Sequence, residues 1–253
     1  MNLTDVHAVV TGAARGLGRY FALALAREGA QVVAGDINPP GLRSLREEAR
    51  PLPGSLKVAE VDVASEPSVA AFAGLVAREL PGINVLVNNA GILRDGLLLT
   101  VEDDGVRTQP FVQWSTVVDV NLKGQFLVTR AMAAWMVERG SRGVIVNISS
   151  LARAGNPGQS SYAASKAGLD ACTRTWALEL APHGIRVGGV APGVIDTPIL
   201  AGISEQALDS LVRGIPLRRM GTPEEVWQAV RFILSCEFFT GRTIEVDGGA
   251  SMG

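Results

Sequence analysis

The sequence predicts an α/β fold, with one doubly wound parallel sheet of about seven strands and helices on both faces. Short β-branched apolar runs alternate with longer segments of helical period along the whole chain. The runs are almost continuously apolar, as strands covered on both faces must be. The chain has 253 residues, no Pro/Gly/Ser-rich linker and no repeat of solenoid length, so one domain spanning 1–253 is expected.

The elements follow in order. HAVVTG (7–12) reads as a buried strand, and residues 17–30 as a helix closed by Gly29. QVVAGD (31–36) is a second strand, residues 41–50 a charged helix, and LKVAEVDV (56–63) a third strand. Residues 66–80 form a helix with Pro67 in its first turn, where a missing N–H costs nothing. INVLVNNAG (83–91) is a fourth strand. Residues 92–115 read as a polar loop longer than such connections usually are. A helix over 115–140 leads to a fifth strand, GVIVNISS (143–150), then a helix over 161–184 and a sixth strand, IRVGGVAPG (185–193). An irregular stretch, the helix 223–235 and the strand TIEVDGG (243–249) complete the pattern.

Composition excludes several classes. Apolar residues make up 47% and charged residues 19%, which suits a large core, and the net charge of -2 offers no basic stripe for nucleic acid. Two distant cysteines, Cys172 and Cys236, make neither a disulfide framework nor a metal site and read as small buried residues. His7 and His183 have no partner motif. The chain enters a strand at once without a secretory leader, and no apolar run reaches the roughly 18 residues of a membrane span. A soluble cytoplasmic protein, with no metal, membrane or nucleic-acid partner, is the expectation.

TGAARGLG lies between the first strand and the first helix. Gly12, Gly16 and Gly18 would let backbone approach a diphosphate at a helix N-terminus. Asp36 ends the second strand, where a carboxylate accepts hydrogen bonds from ribose hydroxyls. A 2′-phosphate about 4 Å away would be repelled by roughly 4 kcal/mol per unit charge at an effective dielectric near 20, so NAD(H) is favoured. Arg15 in the turn could pair with that phosphate, which leaves NADP(H) open. Asp62, after the third strand, could accept from an adenine amino group.

Strand ends of such a sheet converge on a ligand crevice. NNAG (88–91) ends strand four, NISS (147–150) ends strand five, and Tyr162 and Lys166 stand one turn apart at the start of the next helix. Interconverting a ketone and an alcohol needs a proton donor or acceptor at the substrate oxygen. A free phenol, with pKa about 10, is a poor base at neutral pH. A lysine cation about 4 Å from it would favour the phenolate by about three pKa units. A serine hydroxyl could orient the substrate oxygen.

This set of motifs resembles the short-chain dehydrogenase/reductase family over essentially the whole chain. The resemblance implies a Rossmann-like NAD(P)-binding domain and an oxidoreductase acting on a carbonyl or secondary alcohol. It implies diphosphate binding by Thr11, Gly12, Gly16 and Gly18, with Leu17 beside them and Val63 next to Asp62. NNAG, here Asn88, Asn89, Ala90 and Gly91, would buttress the cofactor. The family's serine lies thirteen residues before the tyrosine, which nominates Ser149 and leaves Ser150 as a helper. VNLKG nominates Asn121, whose backbone carbonyl would hold a water that continues a proton relay through Lys166. Pro192, Gly193, Ile195 and Thr197 of APGVIDTP would cradle the nicotinamide amide and diphosphate, and Tyr162 and Lys166 would also touch the cofactor.

Within the family, GILRDGLLL and GNPGQSSYAASKAG are most similar to 3-oxoacyl thioester reductases and 3-hydroxyacyl dehydrogenases. Asp36 departs from the NADPH-using biosynthetic members. LAPHG at the end of the Tyr162 helix carries no arginine or lysine to grip an acidic carrier protein, leaving Arg139 and Arg142 nearby. The expected activity is an NAD-linked hydroxyacyl or secondary-alcohol dehydrogenase, with coenzyme A thioesters among its substrates. The alternatives are an NADPH-dependent 3-oxoacyl-carrier-protein reductase and a non-enzymatic nucleotide sensor on the same fold. A nucleotide-sugar epimerase would carry GxxGxxG and a longer C-terminal domain, and neither is present. Residues 196–220, with apolar Ile199, Leu200, Ile203, Leu208 and Leu211, would form a lid. The resemblance also implies a homotetramer, with one interface on the helices at 115–139 and 161–182 and another near VDGGASMG.

Overall fold

The computed structural model describes residues 2–200 and 204–250. Its main sheet has seven parallel strands in the spatial order β3-β2-β1-β4-β7-β8-β9. These are β1 (His7–Thr11), β2 (Gln31–Asp36), β3 (Ser55–Glu60), β4 (Val85–Asn88), β7 (Gly143–Ile148), β8 (Ile185–Pro192) and β9 (Thr243–Val246). A separate antiparallel hairpin pairs β5 (Leu99–Glu102) with β6 (Gly105–Thr108). The helices are α1 (Gly16–Arg27), α2 (Pro39–Ala49), α3 (Glu66–Glu79), α4 (Phe111–Val118), α5 (Gly124–Glu138), α6 (Ser160–Leu180), α7 (Glu205–Gly214) and α8 (Pro223–Ser235).

Strand residues point alternately to opposite faces, so each buried strand feeds two cores. Ala8, Val10, Val32, Val85, Val87, Val144, Val146 and Ile148 pack with Phe21 and Leu25 of α1, Leu45 of α2 and Val230 and Ile233 of α8. Val9, Val33, Leu86, Ile145 and Val187 pack with Phe72 of α3, Met132 and Met136 of α5 and Leu169 and Trp176 of α6. Each fully buried aliphatic side chain contributes about 1.5–3 kcal/mol. The two-faced burial explains why the strands lack a polar alternation.

Local chemistry sets the helix starts. Asn38 caps α2 by accepting from Gly41 N–H, Ser65 caps α3 from Ser68 N–H, and Thr222 with Glu225 forms a capping box on α8. At α1, by contrast, Arg15 occupies the capping position without a side-chain hydrogen bond. That leaves the first N–H groups of α1 pointing into the crevice between β1 and β4, where the strand order reverses.

Three segments differ from the sequence expectation. The loop at 92–115 contains the hairpin, turned through Asp103 and Asp104 into Gly105, whose φ is 138°. Every hairpin residue is exposed, so no buried face writes an alternating pattern into the sequence. The helix expected from 115 starts at Phe111 and passes through a π-helical turn at Asp119–Lys123 before α5. Cys172 and Cys236 are half-buried free thiols rather than core residues, and burial pushes the Cys172 thiol up. In the expected lid, Leu208 is half-buried and Leu211 is exposed on α7, while Ile203 lies outside the described residues. The side chain of Ile199 is also outside the description.

Candidate active site

The glycine turn is shaped by contact with NNAG. A Cβ on Gly12, which has φ 66°, would stand 2.6 Å from the Ala90 Cα. A Cβ on Gly18 would stand 2.2 Å from the Gly12 carbonyl oxygen and 2.4 Å from Asn89 Nδ2. Real side chains do not approach so closely, so both positions need glycine. Asn89 Nδ2 donates to the Thr11 and Gly12 carbonyls at 3.1 and 3.0 Å. The Thr11 hydroxyl accepts from the N–H groups of Asn89 and Ala90, both at 3.2 Å. The turn is thereby held open above the uncapped start of α1, with Gly16, Leu17 and Gly18 as its first residues. Thr197 reaches the same turn, its Cβ 3.9 Å from where a side chain on Gly16 would begin.

Asp36 faces this turn. Its Oδ2 accepts from Ala14 N–H and its Oδ1 from Asn38 N–H, both at 2.9 Å. A carboxylate has about four acceptor positions, so two remain for other donors. Arg15 is exposed beside it. Asp62 Oδ1 accepts from Ala64 N–H at 2.9 Å, closing a turn, and the adjacent Val63 is buried against Gly124. On the far side, Gly193 N–H donates to the Val246 carbonyl at 2.9 Å and Ile195 bridges to Gly221, which places residues 192–197 opposite the glycine turn. A glycine turn that tolerates no side chain, an uncapped helix start and a carboxylate with spare acceptor positions fit a nicotinamide dinucleotide.

Beneath this floor runs a buried polar ladder. Asn88 and Asn147 are register partners on β4 and β7, and Asn88 Nδ2 donates to Asn147 Oδ1 at 2.9 Å and to Thr129 Oγ1 at 2.7 Å. Asn147 Nδ2 donates to Thr173 Oγ1 at 2.9 Å. Gln125 donates to the Ala90 carbonyl. The sequence reading missed Gln125, Thr129 and Thr173, because a lone polar residue in a helix carries no signal until its strand partner is known.

The reactive groups gather at the C-terminal ends of β4 and β7. Lys166 is buried, and its Nζ donates to the Ile148 carbonyl at 2.7 Å and lies 5.6 Å from the Tyr162 ring centroid. Gly91 is close by, since its built Cβ would lie 3.7 Å from Lys166 Nζ and 3.4 Å from Asn121 Oδ1. Asn121 is fully buried in the π-turn and grips Ile92 twice, accepting its N–H at 2.8 Å and donating to its carbonyl at 2.9 Å. That pair anchors the start of the loop that carries Asp95. The Asp95 carboxylate accepts from Gln159 Nε2 at 3.1 Å.

The structure gives the two serines different partners, and the nominated Ser149 is not the one beside the phenol. Ser149 is buried, and its hydroxyl donates to the Lys166 carbonyl at 3.3 Å. Ser150 instead hydrogen-bonds the Tyr162 phenol. Strand alternation is the reason: Ile145, Asn147 and Ser149 share the face covered by α6, and the backbone of Ser149 is still paired to Val190. Ser150 is the first residue free of the ladder, and it caps the short turn Leu151–Ala154 by accepting from Ala152 N–H at 3.1 Å.

The structure also corrects the simple picture of the Tyr162–Lys166 pair. Burial raises the Tyr162 pKa above its ordinary value, the Ser150 hydrogen bond opposes that rise, and Asp95 adds to it. Burial lowers Lys166 to about 8, with Asp170 opposing. Loss of solvent around the phenol sets the direction for Tyr162, and the lysine beside it is itself buried and tied to a backbone carbonyl.

The comparisons agree on one lineage. A family model described as "Enoyl-(Acyl carrier protein) reductase" matches residues 12–251. The 3-oxoacyl-[acyl-carrier-protein] reductase FabG of Thermotoga maritima is 43% identical, with 98% of this chain and 99% of the relative covered. The (3R)-3-hydroxyacyl-CoA dehydrogenase of Canis lupus familiaris is 38% identical over 100% of this chain and 98% of the relative. Among solved structures, a short-chain type dehydrogenase/reductase from Mycobacterium marinum superposes with a TM-score of 0.92 at 31% identity, covering 100% of this chain and 98% of that one.

Proposed function

The chain belongs to the short-chain dehydrogenase/reductase family, and on that premise we propose that it interconverts a ketone and a secondary alcohol with NAD(H), acting on 3-oxoacyl or 3-hydroxyacyl thioesters. The observation that carries this reading is the Ser150–Tyr162 hydrogen bond beside the buried Lys166, at the strand ends that face the glycine turn. Both relatives are named for an oxygen on carbon 3 of an acyl chain, held on a carrier protein in one and on coenzyme A in the other.

Gly12, Gly16, Leu17 and Gly18 would hold the cofactor diphosphate, Asp36 its adenosine ribose, Asp62 and Val63 the adenine, and Asn89, Ala90 and Gly91 the middle of the molecule. Pro192, Gly193, Ile195 and Thr197 would hold the nicotinamide end. When bound, the cofactor supplies or accepts a hydride. Tyr162 gives a proton to the substrate oxygen in reduction and takes one in oxidation. Its raised pKa keeps it protonated at neutral pH, which suits reduction. Ser150 donates a hydrogen bond to the same oxygen and holds it against the phenol. Lys166 supplies positive charge below Tyr162 and would also bind the nicotinamide ribose, and the Asn121 backbone would continue the proton path.

NAD(H) preference rests on Asp36, which the turn fixes through the Ala14 N–H. With acetoacetyl-CoA as substrate, NADH is expected to be oxidised at least tenfold more efficiently than NADPH. Asp36→Asn removes the charge that repels a 2′-phosphate and is expected to cut that ratio by about tenfold or more. Strict NADPH use by the unmodified enzyme would make Arg15 the selector and favour a carrier-protein reductase. Turnover of plain ketones alone would remove the thioester.

A homotetramer is part of the proposal. Phe126 on α5 and Leu178 on α6 are 44% and 79% exposed, apolar side chains on the two helices expected at an interface. Light scattering in line with size exclusion is expected to give four times the 26.5 kDa chain mass, and a monomer would remove the interface. Residues 196–220 are proposed as the substrate lid. No described helix is long and apolar enough to cross a membrane; a cytoplasmic setting is part of the proposal.

A further inference from the structure

An ion cluster, buried at Asp170 and open to solvent at Glu245, adjoins the candidate catalytic groups. Arg153 sits on the short turn that follows Ser150, with its side chain only 18% exposed. Its Nε is 2.7 Å from Asp170 Oδ2, and it also pairs with Glu245 on β9. A third contact runs from Arg153 Nη1 to the backbone carbonyl of Ser150 at 3.3 Å. Asp170 is 8% exposed, and its other oxygen accepts from the Thr243 hydroxyl at 3.2 Å. One guanidinium therefore ties together the turn that presents Ser150, the helix that presents Tyr162 and Lys166, and the last strand of the sheet.

We propose that Arg153 and Asp170 are positioning residues of the active site: Arg153 clamps the Ser150 backbone to α6, and Asp170 holds a negative charge one turn from Lys166 that keeps the lysine an ammonium. This rests on the proposed oxidoreductase reading.

Asp170 follows Lys166 by four residues, so the two side chains share a helix face. Lys166 is otherwise poorly placed to stay charged, because it is buried and its Nζ donates to the neutral Ile148 carbonyl. The titratable and charged groups around it are Tyr162 and Asp170 on α6, Arg153 on the turn after β7 and Glu245 beyond Arg153 on β9. The π-turn offers the neutral Asn121 amide, and the end of β4 offers Gly91. Asp95 acts from the loop on the Tyr162 side. Asp170 is the acidic residue one helical turn on from Lys166, and its field raises the Lys166 pKa against the effect of burial.

The test is the pH profile of kcat/KM for reduction of acetoacetyl-CoA. Reduction needs Lys166 protonated, so activity falls as pH rises through the Lys166 pKa, on a limb near 8. Asp170→Asn keeps the shape and the Thr243 contact but removes the charge. It is expected to move that limb down by about one pH unit, a roughly tenfold loss on the alkaline side. Asp170→Glu restores the charge and should return the limb. Arg153→Lys keeps the charge but not the fork to the Ser150 carbonyl. It should leave the limb in place while lowering kcat about tenfold with little change in KM. Cofactor binding by fluorescence checks that each variant is folded. A limb that stays put in a folded Asp170→Asn enzyme overturns the charge role, and an unchanged kcat in Arg153→Lys overturns the clamp. If Asp170 variants do not fold, Arg153→Lys still tests the shared clamp, and an unchanged kcat there overturns the proposal. An unmodified enzyme with no turnover on any carbonyl, by contrast, removes the oxidoreductase reading itself.

Discussion

Tyr162→Phe is expected to lower turnover about a thousandfold and leave NADH affinity within about twofold. The ring is half-buried between Ser150 and Lys166, and the substitution removes one oxygen without changing its volume. The cradle at Gly12 and Gly18 does not touch it, so cofactor binding has no reason to change. Parallel steady-state assays and NADH fluorescence titration separate the two effects. Retained turnover would assign the proton to another group. Lost binding would mean that the phenol holds the cofactor rather than the substrate oxygen.

The second large effect divides two adjacent serines. Ser150→Ala is expected to lower kcat/KM about a hundredfold, because the substrate oxygen loses a donor and Tyr162 loses its partner. It also removes the cap on the Leu151–Ala154 turn, worth about 1 kcal/mol. Ser149→Ala should leave kcat/KM within about threefold. Its cost is stability, about 0.5–1.5 kcal/mol, since the Lys166 carbonyl loses a second donor but keeps its helical one. Rates and thermal melts of the two variants, measured side by side, give opposite patterns. The reverse pattern restores Ser149 as the working hydroxyl.

Most of the fold was legible in the sequence. The apolar runs of β1, β2, β4, β7 and β8 have no polar alternation because both faces are covered, and that made a parallel sheet readable. The α8 boundaries matched the reading at both ends, since Thr222, Pro223 and Glu225 write a start signal into consecutive residues. The hairpin was missed although Asp104-Gly105 is a turn signal, because its strands bury nothing and were read as loop.

The glycine turn, Asp36, Tyr162 and Lys166 were readable because each depends on local backbone: a strand end, a helix start, or one helical turn. The choice between Ser149 and Ser150 was not. It depends on where the β7 ladder stops and which face α6 covers, and a spacing count to Tyr162 contains neither fact. The Arg153 cluster is further beyond reach, because Arg153 and Glu245 are 92 residues apart.

By itself, then, the sequence determined the layered sheet, the place of the glycine turn and the tyrosine–lysine spacing, since those rest on periodicity and on neighbours within a few residues. The tertiary structure alone decided which serine meets the phenol, how burial sets the charge of Tyr162 and Lys166, and which distant ions stand behind them. Those properties depend on distance and solvent exclusion between segments that only folding brings together.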